Sequence, residues 1–182
     1  MARPPRSESA GASTDAPAQT EPARVRSSGL SLKGRALRYL AAREHSRAEL
    51  ERKLAPHEET PGQLAAVLDA LQAKDFINEV RVADSVVNRR ASRFGAARVR
   101  YELQGKGLSS AVIADAVVRL KATELARAGD VWRKKFGEPA ADAAGRARQM
   151  RFLAARGFGG DVIRRVVSGA DADDQQAKKT SN

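Results

Sequence analysis

Apolar residues in this chain recur three and four positions apart over most of its length, the period of an amphipathic helix. Leu32, Leu37 and Leu40 are available to the core from a helix expected over 32–43. Leu50 and Leu54 share a face within 46–54, and Leu64, Val67, Leu68 and Leu71 do so within 63–74. Val80, Ala83, Val86 and Val87 form the predicted inward face of 79–93. Further helices are expected over 97–104, 109–126, 128–135, 142–156 and 161–167. Pro56, His57 and the run Glu58-Glu59-Thr60-Pro61-Gly62 break the period and make a connection. Asp75-Phe76-Ile77-Asn78 reads as a turn that buries Phe76 or Ile77. β-branched residues occur, but nowhere in the alternation a half-buried strand requires. The pattern predicts an all-α chain.

Part of the pattern is written three times. Leu40-Ala41-Ala42-Arg43-Glu44-His45-Ser46, Leu103-Gln104-Gly105-Lys106-Gly107-Leu108-Ser109 and Leu153-Ala154-Ala155-Arg156-Gly157-Phe158-Gly159 align without a gap. Each copy has a leucine, then a cation, then a helix-ending slot held by glycine in two copies. An apolar-leaning slot follows, then a residue suited to an N-cap. Glu44 occupies the glycine slot of the first copy, so its turn must differ or carry strain. Ser46 and Glu49 have the spacing of a capping box. Each copy is therefore a helix, a tight turn and a second helix, and the repetition predicts a tandem array, elongated or curved.

Leu40 and Leu103 are 63 residues apart, Leu103 and Leu153 only 50, so the array is irregular. Three repeats of about three helices are expected, over about 32–78, 79–122 and 123–169. Phe94-Gly95 precedes its leucine more closely than Phe136-Gly137, and the surplus within 138–145 is expected to lengthen a loop. Residues 1–30, rich in Ala, Pro, Ser, Thr and Arg, have no apolar period and should be disordered. The same holds for 170–182, which leaves 31–169 as the helical domain.

Charge narrows the function. The chain has a formal net charge of +11, and its two polar ends cancel, so the whole excess lies in 33–169. Such a surface suits a polyanionic or acidic partner. No stretch is long and apolar enough to span a membrane. Cysteine is absent, which removes disulfides and fits a reducing, cytoplasmic setting. Two isolated histidines do not make a metal site. No nucleophile stands with a base, and no glycine loop could cradle a phosphate. A non-enzyme without cofactor is expected.

Leu37-Arg38-Tyr39-Leu40-Ala41-Ala42-Arg43-Glu44-His45-Ser46-Arg47-Ala48-Glu49-Leu50 opens a set of three ordered motifs. The second is Asn88-Arg89-Arg90-Ala91-Ser92-Arg93-Phe94-Gly95, followed by Arg98, Glu102-Leu103 and Lys106-Gly107-Leu108. The third is Phe152-Leu153-Ala154-Ala155-Arg156-Gly157-Phe158. Together they resemble the bacterial RecX family of regulatory proteins over residues 33 to about 169. That family often has proline after the aromatic-glycine pair, where this chain has Ala96. The resemblance implies tandem three-helix units that bind the RecA–DNA filament in its groove. It also implies reduced RecA ATPase, strand-exchange and coprotease activity, within DNA repair, recombination and the SOS response.

The densest basic cluster is Arg89, Arg90, Arg93, Arg98, Arg100 and Lys106. These residues flank a corner and are the candidates for contact with RecA or with DNA phosphates. Arg98 and Arg100 lead, because they stand beside the Phe94-Gly95 turn. A solvated helix face would look the same. Arg43 and Arg156 are weaker candidates, since with Lys106 they fill the repeated cation slot and could simply complement helix C-termini. His45, Trp132, Tyr101, Phe94 and Phe136 are expected to pack inside. The alternative function is a stand-alone basic helix-turn-helix DNA-binding protein. Its recognition helix would start at Ser109, but Ala111, Val112, Ile113 and Ala114 offer little to read base edges. The protein is expected to act as a monomer.

Overall fold

The computed structural model describes residues 29–169. Apart from Gly29 and Leu30, the two ends expected to be disordered lie outside the described residues. Those described form nine α-helices, a 3₁₀ turn at Ala55–His57 and no strand. The helices are α1 (Leu32–Ala42), α2 (Arg47–Leu54), α3 (Gln63–Ala73), α4 (Glu79–Arg90) and α5 (Ala96–Gly105). They continue with α6 (Ser110–Ala122), α7 (Glu124–Phe136), α8 (Ala143–Ala154) and α9 (Gly160–Ser168). Side chains fix several starts. Ser31 Oγ accepts from the Gly34 N–H, and Asn78 Oδ1 accepts from both Val80 and Arg81. Ser46 and Glu49 form the full capping box expected from their spacing.

The helices pack in threes. Leu50, Leu54, Leu68 and Leu71 centre one core, between α1, α2 and α3. Val82, Val86, Val99, Leu103 and Ile113 centre a second, between α4, α5 and α6. Trp132, Leu153, Phe158 and Ile163 centre a third, between α7, α8 and α9. The repeated motif falls at the α1–α2, α5–α6 and α8–α9 corners. It thus joins the first two helices of unit 1 but the last two of units 2 and 3. Two helices, α3 and α4, therefore separate the first corner from α5, whereas α7 alone separates α6 from α8. This explains the uneven spacing of the motifs. Gly107 and Gly157 take left-handed backbone at their corners, φ +71° and +78°. The first corner is built differently, with Arg43 extended, so Glu44 has no left-handed strain to bear.

Three details differ from the sequence pattern, at Val80, at the α6–α7 break and at Tyr101, and two others follow it. Val80 is 51% exposed and Val82 takes its inward place, because Asn78 caps the helix in a register that points Val82, Ala83 and Val86 to the core. The turn before it buries Ile77, one of the two residues expected to fill that place, and leaves Phe76 48% exposed. Helices α6 and α7 meet at Thr123, earlier than the expected break, because Arg127 reaches back to the Leu120 carbonyl and closes the end of α6. The surplus before Leu153 lies mostly in the loop 137–142, as expected, and the remainder lengthens the start of α8. Tyr101 is 72% exposed, whereas Trp132, Phe94 and Phe136 pack against their cores. The helix face of α5 turned inward carries Ala96, Val99 and Leu103, and Tyr101 lies away from it.

Candidate functional site

Two junctions decide where the cations stand. At the first, Glu49 of α2 receives Lys106 Nζ at 2.7 Å and Arg43 Nη2 at 3.1 Å. Its other oxygen accepts from the Ser46 N–H at 3.0 Å, and Ser46 Oγ donates to the Lys106 carbonyl at 2.6 Å. Burial opposes charge on Glu49. Lys106, the Ser46 N–H and Arg43 outweigh it and hold the carboxyl at about 2. Beside this cluster, Arg81 of α4 bonds Glu44 at 3.0 Å and Asp75 at 2.6 Å. The acid standing in the glycine slot is therefore an anchor for the next unit. His45 packs here against Tyr39, buried as expected, and burial pulls its imidazole below the usual range.

The second junction is made largely by backbone. The Gly95 N–H donates to the Arg156 carbonyl at 2.9 Å, and Ala97 N–H to the Gly157 carbonyl at 3.3 Å. A Cβ on Gly95 would overlap the Gly157 carbonyl and the Phe158 nitrogen. Ala96 N–H donates to the buried Glu124 carboxylate at 2.7 Å, a bond proline could not make. Arg127 donates to the Ala91 and Phe94 carbonyls at 2.7 Å each, so one guanidinium ties α7 to the α4–α5 corner. Desolvation lowers its pKa from the ordinary arginine value.

The candidate residues separate into two groups. Arg89, Arg98 and Arg100 are exposed and have no ion pair. Arg93 is exposed with its guanidinium 5.9 Å from the Phe94 ring centre. Arg90 is exposed but bonded to Glu102 at 2.9 Å. Lys106 is turned inward onto Glu49, its side chain only 14% exposed. Arg43 meets it on the same carboxylate, so two repeated cations converge and do not form a row. Arg156 lies on the Phe152 ring at 3.6 Å and donates to the Phe152 carbonyl, which completes the end of α8. Arg98 packs by its backbone against Gly157, so the exposed arginines of α5 border the α8–α9 corner.

Three family models cover most of the chain: the first three-helix domain of RecX matches residues 33–76, the second 78–117 and the third 122–167. The chain belongs to the RecX family. A regulatory protein RecX from Leptothrix cholodnii is 59% identical over 142 residues, 78% of this chain and 90% of that protein. One from Ralstonia nicotianae is 51% identical over 143 residues, 79% of this chain and 90% of that protein. In three dimensions the chain resembles the crystal structure of RecX from Lactobacillus salivarius, with a TM-score of 0.64 and 19% identity. That match covers 78% of this chain and 95% of the other. The protein is thus a regulatory protein of tandem three-helix RecX domains, and no described helix is long and apolar enough to cross a membrane.

The RecX architecture also brings out cations that the motifs passed over. Unit 1 (33–78) has a net charge of +1, while units 2 (79–122) and 3 (123–169) carry +5 each. On unit 3, Lys134, Lys135, Arg148 and Arg151 are exposed and unpaired. The i, i+3 spacing of Arg148 and Arg151 along α8 was the available signal. Glu124 and Arg127, which weld units 2 and 3, gave none, because their partners are backbone groups about thirty residues away.

Proposed function

We propose that this RecX-family protein regulates the RecA–DNA filament by lying along its groove as a monomer. Units 2 and 3 face the anionic surface there. Binding alone does the work: a filament-bound array slows RecA ATPase and with it strand exchange and coprotease activity. The observation that supports this most is the exposed, unpaired set Arg89, Arg93, Arg98 and Arg100 beside a backbone-bonded junction. Guanidinium groups without ion pairs, carried on a backbone corner of fixed geometry, suit phosphates or carboxylates repeated along a filament. Many weak contacts on linked units add through effective concentration. The stand-alone helix-turn-helix reading has less support. On α6, Arg119 is held by Asp84 and Asp115, and its exposed neighbours are chiefly alanine and valine. The test is RecA ATPase on single-stranded DNA, titrated with wild type and with Arg98→Glu/Arg100→Glu. The double variant should need at least roughly tenfold more protein for half-inhibition. Equal inhibition would remove these arginines from the interface, and no inhibition by wild type would sink the proposal.

A further inference from the structure

We propose that the groove between α1 and α3 docks a partner protein through an amphipathic helix flanked by acidic residues. The groove holds about 430 Å³. One face of α3 forms it, with Ala66, Val67 and Ala70, against Leu37 of α1. Phe76 is half exposed at its wall and adds its ring to the apolar lining. Contiguous apolar surface of this kind marks an interaction site. Ala66 and Ala70 lie one turn apart and leave room for a close backbone.

The two ends of the groove are charged alike. Lys33 lies toward the Gln63 end, because Leu32 and Arg35 on either side of it line the neighbouring cleft together with Gln63. Lys74 lies at the other end of α3, about 16 Å or three turns away. Neither lysine has an ion pair. Two nearby acids are committed elsewhere, Asp75 to Arg81 and Asn78 and Glu58 to the Leu64 N–H, and the exposed Glu59 lies in the adjoining cleft outside the groove lining. The complementary occupant has an apolar stripe of about three turns with carboxylates at both ends. A nucleic acid does not fit, because the lining offers two ammonium groups on an apolar floor and unit 1 is almost neutral. This site is independent of the arginine surface of units 2 and 3.

The experiment uses the full chain and two fluorescent peptides of about 16 residues. Both carry the same Leu/Ala stripe, one with paired Glu at each end and one with paired Lys. Anisotropy should show the Glu peptide binding at least roughly tenfold more tightly than the Lys peptide. Val67→Glu, with its fold verified by circular dichroism, should abolish binding. Lys33→Glu/Lys74→Glu should reverse the preference between the peptides, and does not depend on Val67→Glu folding. The proposal is overturned if both peptides bind alike, or if the lysine double variant keeps the original preference. It is also overturned if sedimentation shows self-association that Val67→Glu removes, since the occupant is then a second copy. Binding that appears only after deletion of residues 1–28 overturns it too, because the chain then covers its own groove.

Discussion

At the scale of single residues, Glu49 shows how the motif is used. Sequence alone placed it in a capping box, and the fold gives it Lys106 and Arg43 as well. Its folded pKa of about 2 lies below the ordinary carboxylate value. A depressed carboxyl adds stability that is full above about pH 4.5 and is lost as pH falls toward 2. Discounted for solvent, the contribution is on the order of 2 kcal/mol. Thermal melts of wild type and Glu49→Gln should therefore differ at pH 7, converge through pH 4 to 3 and coincide near pH 2. A gap independent of pH would mean that Glu49 acts by packing alone. Ala96 makes a related point. A helix start usually welcomes proline, but here the N–H is needed by Glu124, so alanine fits this chain better.

At the scale of elements, the repeat is a corner more than a domain. Leucine, turn and cap set the angle between two helices, and the third helix is added before or after that pair. The corners also make the unit-to-unit contacts. The α1–α2 corner meets Lys106 and Gly107 of the α5–α6 corner, and the α8–α9 corner meets the start of α5. Gly95→Ala tests the second contact, since its Cβ has no space against Gly157. It should destabilise the protein by about 1–3 kcal/mol in chemical denaturation. Gly105→Ala is the control. No atom lies within 4 Å of its Cβ position and the residue is helical, so it should be neutral or stabilise by about 0.5 kcal/mol. Equal effects of the two substitutions would show that the junction adds nothing.

At the scale of the molecule, the distribution of charge separates unit 1 from units 2 and 3. If the arginine surface meets phosphates, affinity for single-stranded DNA should fall with salt at a log–log slope of about −0.7 per phosphate. Arg98→Glu/Arg100→Glu should make that slope shallower by about one to two, whereas Val67→Glu in unit 1 should leave it unchanged. A salt slope unaltered by the arginine substitutions would place the phosphate contacts elsewhere. The sequence by itself determined the helical class, the three corners, the capping box and the basic character. Each depends on residues within a turn or two of one another, and local periodicity and backbone preference report such contacts directly. Only the tertiary structure decided which cations are free. Arg98 and Lys106 look alike in the chain, yet one is exposed and unpaired and the other is spent on a carboxylate 57 residues away. The same is true of Val80 and Val82, of Phe76 and Ile77, and of the bonds from Ala96 and Arg127. Their fate depends on which surfaces meet across the units, and that meeting has no local period to read.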